Sequence, residues 1–106
     1  MCIQSGDELL KILEALSNPY RLKIISILHQ ERQYVSQLAR DLGISRPLLY
    51  LHLQRLEDAG LITGDYEVSD QGKTMKYYKL TPFHLSINSQ LIMDLSNSLT
   101  LKKRKE

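Results

Sequence analysis

Very little in this sequence points to covalent or metal chemistry. Cys2 is the only cysteine among 106 residues, so no disulfide can close within one chain, and a reducing compartment such as the cytoplasm suits it. No apolar stretch approaches the ~18 residues a membrane span needs; even the run from Ile24 to Leu28 is interrupted by Ser26. The first five residues lack a basic segment followed by an apolar one, so no secretory signal is expected. A glycine-rich phosphate loop is missing, as is a His-Glu-x-x-His zinc motif, and the three histidines, at 29, 52 and 84, lie far apart. These gaps argue against an enzyme. No catalytic residue, cofactor or metal is expected.

Charge is nearly balanced. The formal net charge is +2, but residues 102–105 (Lys-Lys-Arg-Lys) hold four of the 14 cations, leaving ten basic against 12 acidic side chains elsewhere. Any surface that attracts a polyanion must therefore arise from local clustering. The basic tail reads as a solvated end.

What is present is a run of short amphipathic segments. Ser5 with Glu8 has the form of a helix-capping box, and Leu9, Ile12, Leu13 and Leu16 recur at helical spacing, which predicts a first helix over 6–17. Asn18-Pro19 starts a second, over 19–31, with Leu22, Ile25 and Leu28 on one face. Val35, Leu38, Ala39 and Leu42 mark a third over 35–42. Gly43 can then turn left-handed and Ser45 can cap a fourth helix, over 46–59, before Gly60 stops it. Two short helices joined by a glycine-containing three-residue turn make a helix-turn-helix. Residues 61–68 and 74–81 flank a polar, glycine-containing loop and predict a β-hairpin, with Tyr78 and Leu80 inward and Tyr77 and Lys79 outward. After Pro82 a last helix is expected over 83–101, carrying Leu91, Ile92, Leu95 and Leu99. The fold class is mainly α with a small β-hairpin wing: a single winged helix-turn-helix domain over 1–106.

The wording resembles the ArsR-type family of winged helix-turn-helix transcriptional regulators. Leu16-Ser17-Asn18-Pro19-Tyr20-Arg21-Leu22-Lys23-Ile24-Ile25 carries the likeness first. Val35-Ser36-Gln37-Leu38-Ala39, Gly43-Ile44-Ser45-Arg46-Pro47, His52-Leu53, Glu57-Asp58-Ala59-Gly60-Leu61-Ile62 and Tyr77-Tyr78-Lys79-Leu80 follow in order. The resemblance implies a homodimer built from the terminal helices that presents both recognition helices to double-stranded DNA. It departs from the family's metal sensors where they carry a cysteine-valine-cysteine motif followed by an acidic residue. This chain reads Tyr34, Val35, Ser36 and Gln37 there, with no thiolate or carboxylate to bind a soft or borderline metal.

A recognition helix puts its first two turns into the major groove. Here that means Ser45 at the cap, then Arg46, Pro47, Tyr50, Leu51 and Gln54 on the outer face. Arg46 can make two hydrogen bonds to guanine or one to phosphate. Tyr50 can donate to phosphate or pack on a thymine methyl. Leu51 can meet a thymine methyl or pack against another element; with Leu48 it leaves few polar groups to read bases, so shape readout or modest specificity is credible. His52 matches a family histidine near the DNA side, with a phosphate contact or a packing role open to it. Arg55 can reach phosphate, Glu57 or Asp58. Gln37 and Arg40 are candidates for backbone contacts. Lys73 and Lys76 on the hairpin can grip phosphate, although Asp65, Glu67 and Asp70 share the hairpin and would oppose them. Arg21 is expected to pair with an acidic side chain inside the fold. Leu9, Ile12, Leu13, Leu16, Leu91, Ile92, Leu95 and Leu99 form the expected dimer contact, because so small a domain cannot cover both terminal apolar faces alone. The expected function is a cytoplasmic transcription regulator, a repressor acting by operator occupancy. The alternative is a winged-helix protein-interaction or RNA-binding module.

Overall fold

The computed structural model describes residues 3–101; Cys2 and the basic run 102–105 lie outside them. The chain begins with helix α1 (Gly6–Leu16), whose cap Ser5 accepts a hydrogen bond from the Glu8 amide at 3.1 Å. The Glu8 carboxylate reaches back one residue beyond the usual box, accepting from the Gln4 amide at 2.8 Å. Helix α2 (Pro19–Gln30) starts at Asn18, whose side chain accepts from both Tyr20 and Arg21 amides. Each such cap is worth ~1 kcal/mol.

Strand β1 (Gln33–Tyr34) follows, then α3 (Val35–Leu42) and α4 (Arg46–Asp58). Gly43 sits between the helices at φ 65°, the left-handed conformation that ends α3, and Ser45 caps α4 through the Leu48 amide at 3.4 Å. Strands β2 (Ile62–Val68) and β3 (Thr74–Leu80) form the hairpin, and β1 pairs with the other edge of β3, giving an antiparallel sheet in the order β1-β3-β2. The residues 31–33 read in sequence as a polar break, and a two-residue strand is too short to show a period. The Gln33–Tyr78 and Tyr34–Tyr77 pairing ties the start of the helix-turn-helix to the wing.

One core serves all of this. Ile24, Leu38, Leu49, Leu53, Leu56, Leu61 and Ile62 are fully buried, and Tyr78 closes it from the sheet. Leu80 packs beside it while Lys79 faces water, as strand alternation requires.

The last helix is shorter than the expected 83–101. Helix α5 runs only over Ser89–Ser96. Phe83 and Leu85 lie on the core in non-helical backbone, and Asn88 caps α5 by accepting from the Leu91 amide at 2.8 Å. Asparagine in mid-segment is thus a helix start, which delays α5 to Ser89. Leu99 lies beyond the helix. The segment after α5 is tied to the start of α1: Thr100 donates to both oxygens of Asp7, and the Gly6 amide donates to Ser98 Oγ at 2.7 Å.

Candidate nucleic-acid interface

Helix α4 turns Leu49, His52, Leu53 and Leu56 into the core and leaves Arg46, Pro47, Tyr50, Leu51, Gln54 and Arg55 on the surface. The inner spacing of three and four residues dictates this, and the Ser45 cap fixes where the outer face begins. Between this face and the hairpin lies an open groove of about 390 Å³, lined by Arg46, Tyr50, Lys73 and Lys76 together with Tyr34, Ser36, Tyr66 and Met75. Four residues chosen from sequence thus meet in one place. The other lining residues were not among those expected to meet DNA; Tyr66 is the one that adds an exposed aromatic ring. Its register opposite Lys76 is what brings it there.

That register also separates the wing's charges. Tyr66 pairs with Lys76 and Gly64 with Tyr78, so these four share the face that carries the core residues Ile62 and Tyr78. Asp65 opposite Tyr77 and Glu67 opposite Met75 take the other face. Glu67 is further occupied: Arg32 contacts it at 2.9 Å and the Tyr34 hydroxyl donates to it at 3.0 Å. The Arg32 guanidinium also lies 4.3 Å from the centre of the Tyr77 ring. Of the opposing carboxylates, Asp65 thus lies on the other face of the sheet from Lys76, and Glu67 is paired with Arg32 beside the groove-lining Tyr34. Lys76 Nζ stands 5.3 Å from the Tyr66 ring centre and 5.2 Å from that of Tyr78. Hydrogen bonding to the Tyr78 hydroxyl, opposed by slight burial, raises its ammonium above the ordinary value and keeps it cationic.

Other candidates fall elsewhere. His52 is only 8% exposed and its ring stacks on Tyr20, so it belongs to the packing between α2 and α4 rather than to the outer face. Its Nδ1 is buried without a partner. Burial first, and then the Arg21 charge, push its pKa down. Arg21 does not find the expected carboxylate: it donates to the backbone carbonyl of Glu14 at 3.4 Å. Gln54 is held by Asp58 at 2.7 Å, and Arg40, Gln37 and Asp41 form a chain of 2.8 Å hydrogen bonds along α3. Arg55 borders a polar cleft of about 350 Å³ with Lys11, Glu14, Arg21 and Asp58, away from the groove.

At the opposite end, an open apolar groove of about 160 Å³ lies between α1 and the segment from α5 to Leu99, lined by Leu9, Leu10, Leu13, Ile92, Leu95 and Leu99. Ile12 is buried in the core, where α1 packs on α2 and α4; Leu9 is buried on the side of α1 that faces α5, and Leu16 is half-buried against the core. They leave Leu13, Leu91, Ile92, Leu95 and Leu99 as the residues of the expected contact that keep exposed surface. No residue of α5 is buried.

The sequence profile described as bacterial regulatory protein, arsR family, matches residues 18–63. An uncharacterized HTH-type transcriptional regulator of Methanocaldococcus jannaschii is 39% identical over 88 residues, covering 83% of this chain and 92% of that protein. The HTH-type transcriptional repressor SmtB of Mycobacterium tuberculosis is 32% identical over 76 residues, 72% of this chain but 53% of the repressor. The match thus spans about half of that relative's length. Among solved structures, the homodimeric winged helix-turn-helix DNA-binding domain of a possible ArsR-family regulator from Mycobacterium bovis superposes with a TM-score of 0.58. It is 26% identical, and the match covers 76% of this chain and 75% of that domain.

Proposed function

This chain belongs to the ArsR family of helix-turn-helix transcriptional regulators, and from that premise we propose that it binds double-stranded DNA as a homodimer and represses transcription by occupying its operator. The observation that carries the reading is the groove between α4 and the hairpin, where Arg46, Lys73 and Lys76 converge with Tyr50. A helix in the major groove with a hairpin beside it would set Arg46 at a base edge or phosphate and the two lysines on flanking phosphates. Gln37 and Arg40, exposed or half-exposed on α3, would hold register by backbone contact. Homodimers of the M. bovis domain support the two-fold assembly, as does the apolar surface that α1 and α5 leave uncovered.

No enzymatic role is assigned, and the work is placed in the cytoplasm, where a regulator of this family meets chromosomal DNA. A winged helix-turn-helix dimer seated on an operator would block polymerase by occupancy. The test is a titration of labelled duplex DNA, drawn by selection from a random pool, at several salt concentrations. Affinity should fall steeply with salt, because phosphate neutralisation releases counterions. Failure of any duplex to be enriched, or a binding curve flat in salt, overturns the proposal.

A further inference from the structure

The outer surface of α4 has two unlike edges. Arg46 and Tyr50, one turn apart, border the wing groove. The other edge carries Leu48 and Leu51, also one turn apart, and neither lines that groove. Leu51 is 65% exposed and Leu48 40%, so neither is committed to the core. The sequence argument left Leu51 divided between DNA and packing on another element; its exposure removes the packing role within this chain.

Three features of the helix bear on what covers this edge. First, the leading turns of α4 carry Arg46 and no carboxylate; Glu57 and Asp58 come only in its last turn, beside Arg55. That charge pattern suits a surface lined with phosphates. Second, Gln54 donates through Nε2 to Asp58, and Arg46 and Tyr50 are the polar side chains on the exposed surface of the first two turns. Third, Pro47 lies beside the leucines and is exposed as well, so the leading surface of the helix away from the wing is apolar.

The major groove offers one apolar feature to such a surface, the C5 methyl of thymine. Resting on the DNA-binding reading above, we infer that the Leu48–Leu51 edge of α4 reads thymine by its methyl group, making these leucines specificity-determining residues. Arg46 and the wing lysines supply hydrogen bonds and charge on one side of the helix. The leucines on the other side select half-sites that place thymines beneath them.

Deoxyuridine tests this directly, since it keeps every hydrogen-bonding group of thymidine and lacks only the methyl. A duplex enriched from the random pool is resynthesised with each thymine of one half-site replaced singly by deoxyuridine, and binding of the full chain is followed by fluorescence anisotropy at fixed salt. The free energy of burying one methyl corresponds to about a fourfold weakening at the one or two positions that lie under the leucines. Leu51→Ala, or Leu48→Ala at a neighbouring position, should bind the thymine and uracil duplexes equally at the affected position while remaining folded, because both side chains are exposed. Equal affinity of the wild type for every uracil-substituted duplex overturns the inference and leaves the DNA-binding reading standing; an apolar edge reserved for a protein partner would give that result. Thymine preference retained in both leucine variants overturns it as well. Absence of any enriched duplex removes both readings.

Discussion

The imidazole of His52 lies against the phenol of Tyr20, with ring centroids 5.5 Å apart and planes 26° from parallel. This stack joins the first turn of α2 to the buried side of α4, so the orientation of the recognition helix depends on a titratable ring with an unpartnered nitrogen. Burial, and behind it the Arg21 charge, lower the His52 pKa below the ordinary 6.5. The unfolded chain therefore binds the proton more readily than the folded one. Stability supplied by the neutral ring is complete above pH ~6.5 and is lost as the pH falls toward the lowered folded value. Urea unfolding between pH 8 and 5 should show this decline in the wild type and a smaller one in His52→Phe, which keeps an aromatic ring on Tyr20. Equal pH dependence in the two proteins would remove His52 from the account.

Arg46→Ala is expected to weaken specific DNA binding by roughly 1–3 kcal/mol if the side chain reads a guanine. A phosphate contact gives a different signature: a similar loss on all sequences and a salt slope smaller by about one. Binding isotherms on selected and random duplexes at three salt concentrations separate the two. Unchanged isotherms on both would exclude Arg46 from the interface.

The helix-turn-helix was legible because its signals are local. Glycine at a left-handed turn, serine at a helix cap and leucines at helical spacing act within a few residues of one another. What escaped depends on residues far apart in the chain. Glu67 is neutralised by Arg32 and Tyr34 from 33 to 35 positions away, so the hairpin looked more hostile to phosphate in sequence than it is in space. His52 falls on the inner face by its spacing from Leu49 and Leu56, but that its ring is stacked on Tyr20 from α2 is a long-range fact. The 83–101 stretch has enough apolar residues for one long helix, but Phe83 and Leu85 gain more from packing on the core, and Asn88 restarts the helix late.

Gly6 should tolerate no side chain. A Cβ there would stand 2.5 Å from the Leu95 carbonyl oxygen and 2.6 Å from Leu99 Cγ, closer than atoms can approach, and the first of these neighbours is backbone. Gly6→Ala is thus expected to push α5 off α1 and to cost about 1–3 kcal/mol, the usual penalty for overpacking. Thermal unfolding gives the measure. A melting temperature equal to the wild type's would mean that α1 and α5 do not approach so closely.

DNA affinity should not respond to metals. At the positions where the family's metal sensors carry thiolates this chain has Tyr34 and Ser36, and the Tyr34 hydroxyl is engaged with Glu67. Anisotropy titrations with and without stoichiometric Zn²⁺, Cd²⁺ or arsenite should coincide. A reproducible tenfold change, equivalent to about 1.4 kcal/mol of coupling, would establish a sensing site of another kind.

The dimer contact can be tested without unfolding the subunit, provided the position is chosen from the structure. Leu95 borders the apolar groove, but its backbone also lies against Gly6 of the same chain, so a charge at Leu95 would disturb the subunit and the assembly together. Ile92 lines that groove from α5 and is 50% exposed, and its neighbour Met93 is 62% exposed. A glutamate at position 92 can remain in water in a single chain and becomes a buried, unpaired charge only when a second copy covers the helix. Ile92→Glu should therefore sediment as a monomer with a melting curve close to that of the wild type in the monomeric range. Two-fold pairing would set the α4 helices in successive major grooves about 34 Å apart, on an inverted repeat. The variant should consequently lose far more affinity for the full operator than for an isolated half-site. A wild type that is monomeric at tens of micromolar, or an Ile92→Glu monomer with full operator affinity, would show that the two chains do not meet through α5.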